Sequence, residues 1–470
     1  MKKSLVGLLL FFLAFPPILQ GVVPDSTNLL RIDQIIIKGN EVTKWYIIER
    51  ELPFETGDTI PENRLNILKQ KVQDNLMNTG LFNFVEVSTN TSGVSLTFVI
   101  NLEERWYLWP TFYVEIADRN FNTWWKKKDF NRLNYKVGLL KSNFRGRREE
   151  IGIQTQFGYE QELSLLYDMP YLNKEKTLGI RFMGDFYAHH HLKYKSENHK
   201  LFYYTDHENY LRTNLQLSFS LLYRPNIHTS HQFTASYYHY KIQDTILMLN
   251  PNYAEKPQLS FPYFSYIVKI DHRNYKSYPV RGFYADFAAR KFGLPGMNTN
   301  YTLLKTTIRK YYELIDQKWF FAASIVAQKK LGQRLPYYLA TERGLGYDRD
   351  FVRGMEYYVF DQTDWIYAKT NIKRLLLPQK IFNINILKNE LFGEKFSKIP
   401  LEIYANVFYD AGYTTGVLRQ ESMNPITNHW QQGFGLGIDF VTYYDKVLRT
   451  ELAINHKGEM GFFVHMIAPI

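Results

Sequence analysis

The sequence predicts a mostly-β protein, in which about 16 antiparallel strands form a transmembrane β-barrel behind one small β-α-α-β-β domain. Three observations support this prediction. From residue 105 onward, apolar and polar side chains alternate in an unbroken series of short runs. Aromatic residues make up 17% of the 470 residues although the mean hydropathy is −0.34, which fits a barrel that is apolar outside and polar inside. Beyond the N-terminus, no apolar run approaches the roughly 18 residues of a membrane-spanning helix.

The first segment, residues 1–21, is predicted to be a secretory signal peptide. Lys2 and Lys3 precede an apolar core that runs from Leu5 to about Leu13. Gly21 is taken as the last residue removed, and residues 22–30 form a leader. The chain is therefore expected to be exported.

Residues 31–104 are predicted to form the small domain. A strand ends at Gly39-Asn40, and a short helical stretch runs from Lys44 to Leu52. Pro61 opens a second helix that stops near Gly80, and Gly93 separates two final strands. Helical spacing in the second helix is shown by Leu65, Leu68, Val72 and Leu76.

Residues 105–470 are predicted to be the barrel. In residues 213–221, for example, Leu215, Leu217 and Phe219 share one face, while Gln216 and Ser218 share the other. Too many such runs follow one another for a soluble sandwich, and the connections alternate between short and long. The predicted strands are 108–116, 133–140, 149–157, 160–167, 178–187, 211–223, 231–241, 262–270, 282–291, 301–312, 318–328, 365–374, 400–408, 433–441, 447–454 and 461–466.

The long connection after the eleventh strand is expected on the extracellular side and is the leading candidate for a functional segment, because loops of this length are functional or disordered. Its tip contains Val352, Arg353 and Gly354. A buried arginine needs a planar acceptor. Strand alternation directs Asp410 and Asp439 into the barrel lumen.

Other chemistry is not predicted. The chain has no cysteine, which excludes disulfides, thiolate metal sites, cysteine nucleophiles and a lipoprotein anchor. Nucleotide-binding and hydrolase motifs are absent from the sequence, so neither an enzyme nor a cofactor is expected. Three adjacent histidines, His189 to His191, cannot converge on one metal from a strand and are interpreted as a solvated loop. Nucleic acid is not expected as a partner of an exported barrel.

Residues 31–104 resemble a POTRA domain, through "IIIKGN" (35–40), "TGD" (56–58), "NTGLFNFVEV" (78–87) and "VINLEER" (99–105). The rest resembles the BamA/TamA superfamily of outer-membrane assembly and translocation factors. The shared motifs follow in order: "NFRGRREEIGIQTQFG" (143–158), "YDMPYL" (167–172), "YPVRGFYADF" (278–287), "FVRGM" (351–355), "VFYDAGYT" (407–414) and "GFGLGIDF" (433–440).

The resemblance implies three sites. A periplasmic POTRA edge captures client strands, here at Phe84, Val85, Glu86 and Val87. The sixth outer loop folds into the lumen, where Arg353 pairs with a carboxylate; Asp410 is the favoured partner and Asp439 the reserve. A weak seam between the first and last strands opens toward lipid, with the last strand marked by Gly461, Val464 and Met466.

Two departures from the family pattern stand out. Arg374, ahead of Pro378, occupies a position at which relatives often have a glutamate. Residues 375–399 are also long for a periplasmic turn, which suggests a partner-binding insertion.

The resemblance implies a non-enzymatic machine in the bacterial outer membrane that inserts or translocates client polypeptides. Its expected partners are client outer-membrane or secreted polypeptides and outer-membrane lipid, with periplasmic accessory proteins left open. Two alternatives also stay open: a dedicated secretion pore for one partner protein, and a passive porin or structural barrel.

Overall fold

The computed structural model of the protein describes residues 28–116, 133–332, 335–341, 343–347, 349–384, 395–416 and 424–466. The predicted signal peptide and most of the predicted leader lie outside these ranges. Within them, a small α/β domain precedes a barrel made of one 16-stranded antiparallel sheet. Helices long and apolar enough to cross a membrane are not found among the described residues.

The N-terminal domain packs two helices on a four-stranded sheet. Its elements are β1 (Leu29–Lys38), α1 (Trp45–Glu49), β2 (Thr59–Pro61), a 3₁₀ turn (Glu62–Arg64), α2 (Leu65–Met77), β3 (Phe82–Ser92) and β4 (Ser95–Glu104). The sheet order is β2-β1-β4-β3, and β1 and β4 are parallel. Val72 and Leu76 of α2 are fully buried against Ile32, Phe82 and Phe98. The short strand β2 was not predicted, because three residues are too few to show an alternating pattern.

All 16 predicted barrel strands are present, and the described residues contain two further strands after β4 that lie outside the barrel sheet. In chain order the strands are β5 (Leu108–Ile116), β6 (Leu133–Phe144), β7 (Glu149–Gly158), β8 (Gln161–Met169), β9 (Leu178–His189), β10 (His191–Glu197), β11 (Lys200–Thr205), β12 (Arg212–Tyr223), β13 (Thr229–Ile242), β14 (Gln258–Asp271), β15 (Gly282–Phe292), β16 (Tyr301–Glu313), β17 (Trp319–Gly332), β18 (Trp365–Asn383), β19 (Lys398–Thr414), β20 (Trp430–Thr442), β21 (Val447–Asn455) and β22 (Met460–His465). Two short helices, α3 (Asp244–Leu249) and α4 (Tyr337–Ala340), lie in outer loops. Only β10 and β11 among the strands after β4 stand outside the barrel sheet in the described residues, as a separate hairpin.

Much of the predicted insertion at residues 375–399 consists of strand. β18 continues to Asn383 and β19 begins at Lys398, so both strands are longer than predicted at their periplasmic ends. Two register shifts, between Leu375 and Leu377 and between Leu377 and Lys380, interrupt the pairing there. Residues 385–394, the middle of the predicted insertion, lie outside the described ranges.

Alternation along each strand separates the two barrel faces, as β12 shows. Leu217 and Leu221 point outward and are about half exposed. Between them, the Ser218 hydroxyl lies 2.7 Å from that of Ser236, and the Ser220 hydroxyl lies 2.8 Å from that of Thr234. Hydroxyl pairs inside and apolar side chains outside are what an outer-membrane strand requires.

The outer hairpin β10–β11 contradicts the solvated-loop interpretation of the histidines. His189 ends β9, His191 begins β10, and His190 between them is buried, with its Nδ1 atom 2.8 Å from the Asp206 carbonyl oxygen. Burial of His190 comes from packing with Tyr159 and Tyr210, which are distant in sequence. In the described part of the chain, no cluster of three or more side chains is suited to hold a metal ion.

Candidate functional site

The sixth outer loop, between β17 and β18, turns into the barrel and buries its tip. Val352 and Met355 pack against Val326 of β17 and Tyr367 of β18. Gly354 has a φ of +85°, a conformation that favours glycine. The tip also lies directly against β20, since a Cβ atom at Gly433 would overlap the Arg353 carbonyl oxygen.

Arg353 is fully buried and makes a bidentate ion pair with Asp410 of β19. Its Nη2 atom lies 2.6 Å from Asp410 Oδ1, and its Nε donates to Oδ2 at 2.8 Å. The Arg353 backbone N–H donates to the same Oδ2 at 3.1 Å. The carboxylate therefore holds both the side chain and the backbone of the loop tip. We call the set Val352, Arg353, Gly354 and Asp410 the loop lock.

Three further groups complete the surroundings of the guanidinium. Its Nη1 donates to Glu451 of β21 at 3.2 Å, and its Nη2 donates to the Thr370 carbonyl oxygen at 3.3 Å. The guanidinium carbon lies 3.9 Å from the centre of the Phe408 ring. A planar, delocalised cation satisfies all of these contacts together, which a lysine ammonium cannot do.

Asp439, the reserve candidate, does not contact Arg353 and binds Arg449 of β21 instead. Arg449 Nη2 lies 2.5 Å from Asp439 Oδ2. The same carboxylate accepts hydrogen bonds from the Tyr278 hydroxyl at 2.6 Å and from the Asn406 amide at 3.0 Å. Arg449 Nη1 also lies 3.4 Å from Glu451 Oε1.

Glu451 thus joins the two pairs into one buried series of alternating charges, listed in order as Asp410, Arg353, Glu451, Arg449 and Asp439. Sequence reasoning missed Glu451 and Arg449. Both lie on the inward face of β21, and Leu448 and Leu452 on its outward face gave the pattern that would have found them. Arg374, which stands where relatives often have a glutamate, faces outward and lies over the Trp319 ring. The second carboxylate near Arg353 in the lumen is therefore that of Glu451.

The predicted client-capture residues lie on an edge of the small sheet. Strand β3 is the last strand in the sheet order and pairs only with β4 among the described residues. Val85 is buried in the domain core, and Glu86 is exposed. The outer main-chain groups of residues 84–87 are consequently not used by another strand of the described chain.

The predicted seam lies between the two ends of the barrel sheet. Within the described residues β22 pairs only with β21, and β5 pairs only with β6. Gly461 faces the lumen opposite Ala453. Val464 and Met466 face outward and are 56% and 64% exposed, and Phe112 on β5 is 74% exposed.

The N-terminal domain is docked on the periplasmic turns at three places. After α1, Glu51 pairs with Arg224, whose Nη2 donates at 2.8 Å. After α2, Asn78 donates to the Asn274 carbonyl oxygen at 3.0 Å. Burial disfavours the Glu51 carboxylate, but the neighbouring arginines outweigh it and hold its pKa at about 2.

The third docking point is Arg105, which connects strand β3 with the turn between β20 and β21. Its Nε donates to the Phe82 carbonyl oxygen at 2.8 Å. Its Nη1 and Nη2 donate to Asp445 at 2.6 and 3.0 Å. The Tyr275 hydroxyl donates to the same carboxylate at 2.5 Å. One arginine therefore joins the start of β3 to the turn that leads into β21, the neighbour of the end strand β22.

Two family models match the chain. A POTRA model, described as surface antigen variable number repeat, matches residues 30–105, and the Omp85 superfamily domain matches residues 143–340. The chain therefore contains a POTRA domain and an Omp85 superfamily domain. It is an outer-membrane β-barrel of the bacterial cell with a periplasmic POTRA domain, in a family whose barrels insert or translocate polypeptides and are not enzymes.

Solved structures to which the chain is similar include the following three. CdiB from Escherichia coli has a TM-score of 0.50 at 12% identity, covering 93% of this chain and 75% of that chain. BamA from Haemophilus ducreyi lacking POTRA domains 1–3 has a TM-score of 0.48 at 16% identity, with 93% and 83% covered. CdiB from Acinetobacter baumannii has a TM-score of 0.46 at 12% identity, with 93% and 74% covered. A search of curated proteins finds no match.

Proposed function

We propose that this Omp85 barrel receives an extended client polypeptide at the β3 edge of its POTRA domain and passes it to the seam between β5 and β22. The observation on which the proposal rests is the order of the barrel sheet, in which the two end strands do not pair with each other among the described residues. Unpaired main-chain groups within a membrane are costly, and a client strand would satisfy them.

The POTRA edge supports the first step. An exposed edge strand offers a row of free N–H and C=O groups, and strand addition draws its affinity from these main-chain groups rather than from particular side chains. The buried side chain of Val85 holds β3 in place, while Glu86 is directed to solvent. Such a site would accept clients of different sequence.

The seam supports the second step. Strand β22 has six residues, compared with nine in its neighbour β21 and twelve in β6. Opening the barrel at this place would break no β5–β22 ladder in the described part of the chain, whereas opening between any two paired strands would break one. The glycine at position 461 further weakens the strand interior.

The loop lock would keep the rest of the barrel in shape while the seam opens. Through Arg353, the sixth loop links β19 to β21, the neighbour of the seam strand β22. A buried ion pair of this kind mainly secures a conformation and does not by itself guarantee net stability. The loop also fills part of the lumen, which argues against free diffusion through the barrel and so against the passive-porin alternative.

Depletion of the protein followed by quantitative proteomics of the outer membrane tests this function. The proposal expects broad loss of outer-membrane β-barrel proteins. Loss of one secreted protein alone would favour the dedicated secretion pore, and an unchanged proteome would leave the passive barrel. Re-expression of the wild-type chain should restore the profile, which controls for secondary effects of depletion.

A further inference from the structure

The lipid-facing surface of the barrel is interrupted by a groove in its periplasmic half. The groove has a volume of about 1040 Å³ and crosses strands β6 to β9 and β12 to β14. Its walls are almost entirely apolar. Among the outward side chains that line it are Ile153, Leu165, Phe182, Leu217, Tyr237 and Phe264.

Small outward residues at two positions, one on either side of β12, create the concavity. Gly184 stands between Leu165 and Leu217 in the strand register, on the same face as Phe182 and Phe186. A Cβ atom at Gly184 would meet only the Leu217 side chain, at 3.5 Å, so space is open above it. In the next row toward the periplasm, Ala235 stands opposite Phe219. Larger side chains around these two positions form the walls.

Cationic and hydroxyl groups line the periplasmic rim of the groove. Lys141 lies three residues before the end of β6, on the outward face, and Tyr167 is two strands away in the same row. The guanidinium of Arg145, in the first periplasmic turn, donates to the Tyr167 hydroxyl at 2.8 Å. Arg145 also pairs with Glu149, with its Nη2 atom 2.7 Å from Glu149 Oε2, and its side chain remains 46% exposed. Glu149 is shared with Arg147 at 3.3 Å, so the rim keeps a net positive charge.

The geometry points to a binding site for one anionic diacyl phospholipid of the periplasmic leaflet. Its acyl chains occupy the groove, and its phosphate lies between Lys141 and Arg145. An apolar groove alone would accept any acyl chain, but the cations at the periplasmic rim select an anionic headgroup at that level of the membrane. The site begins on β6, the neighbour of the seam strand β5, but it requires no client, so its test does not depend on the proposed insertion function.

Native mass spectrometry of the detergent-solubilised full chain, equilibrated with phosphatidylglycerol, tests the site. The wild type should retain one phosphatidylglycerol after detergent exchange. Lys141→Gln should lower retention about fivefold, which corresponds to the loss of one cation near a phosphate. Gly184→Leu should abolish retention by filling the groove.

Two matched variants serve as controls. Arg374→Gln removes an outward cation of β18 that stands opposite the first residue of β17, and Val407→Phe adds bulk to the exposed outer face of β19. Both should retain the lipid as the wild type does. Equal retention by all variants would overturn the site, as would equal retention of phosphatidylcholine or lipid A in place of phosphatidylglycerol. Heat-modifiable gel mobility verifies that each barrel is folded, and Lys141→Gln keeps the test decisive if Gly184→Leu fails to fold.

Discussion

Arg353 and its neighbours show what strand alternation reveals about single residues and what it leaves out. Alternation along β19 and β20 placed Asp410 and Asp439 in the lumen, and both are fully buried there. It did not determine which carboxylate meets Arg353, because that depends on the path of a loop without regular structure. Alternation along β21 places Glu451 in the lumen as well, but its contact with Arg353 depends on the same loop path.

Replacement of Arg353 by alanine should loosen the sixth loop and destabilise the barrel. Asp410 and Glu451 would stay buried without their partner, which costs on the order of 3–5 kcal/mol where the site is dry. Arg353→Lys should recover little, since an ammonium cannot reproduce the bidentate contact or lie flat over the Phe408 ring. The unfolding temperature and heat-modifiable gel mobility measure the effect.

The charge swap Arg353→Asp with Asp410→Arg provides the control for the pair. It should be more stable than either single variant, but below the wild type, because the carboxylate introduced at position 353 would face Glu451. Full stability of Arg353→Ala would show that the ion pair does not hold the loop.

His199, in the turn between β10 and β11, should make the outer loops sensitive to acid. Its Nε2 accepts a hydrogen bond from the Ile426 backbone N–H at 3.1 Å, and its Nδ1 lies 3.1 Å from the Val359 carbonyl oxygen. The ring is therefore neutral, and it joins three outer loops. Burial, with a smaller contribution from Lys457, lowers the pKa of His199 to about 4; the other titratable group against the ring is Tyr358.

The pKa of His199 in the folded protein lies below the ordinary value of about 6.5. Protonation of His199 therefore favours a form in which the three outer loops have separated. The stabilisation is complete above pH 6.5 and decreases as the pH falls toward 4, by at most about 3 kcal/mol. Amide hydrogen exchange at Ile426, corrected for the intrinsic rate, should accelerate over this range in the wild type. His199→Gln should exchange faster at pH 7 and show no such acceleration. A pH-independent wild type would rule out the histidine contact.

At the scale of elements, the strands of the barrel were predictable and the outer hairpin was not. Each barrel strand shows its two faces by alternation, although β18 and β19 extend beyond their predicted ends. The strands β10 and β11 have seven and six residues and lie in an outer loop where both faces are partly polar. Their pairing is decided by contacts with other loops, such as the His199 contact with Val359, which the local sequence does not encode.

Strand β3 provides the test of client capture. Glu86→Pro should impair photocrosslinking of client polypeptides to the POTRA domain, because proline has no N–H and disrupts an edge strand. Glu86→Gln is the matched control: it removes the charge and leaves the main chain intact, so it should capture clients normally. Normal capture by a folded Glu86→Pro variant would reduce the domain to a spacer, and loss of capture in Glu86→Gln would assign the site to the side chain instead.

For the whole molecule, the sequence allowed the order of a POTRA domain and a barrel to be predicted, but not how they dock. Docking depends on Glu51 with Arg224 and on Arg105 with Asp445, pairs separated by 173 and 340 residues. Each participant lies in a turn or a linker, where alternation gives no information. The resulting arrangement brings the POTRA domain onto the turns next to the seam, so capture and release would occur close together.

The most direct test of the account is to close the seam reversibly. The chain has no cysteine, so a pair introduced at Phe112 of β5 and Phe462 of β22 can be joined selectively with a reducible bifunctional reagent. A second pair at Ile308 and Ile325, which stand opposite each other in the β16–β17 ladder, crosslinks two strands that are already paired and is the control. Client assembly should stop in the crosslinked seam variant, return on reduction, and continue in the crosslinked control. Undiminished client assembly through a shut seam would contradict the account.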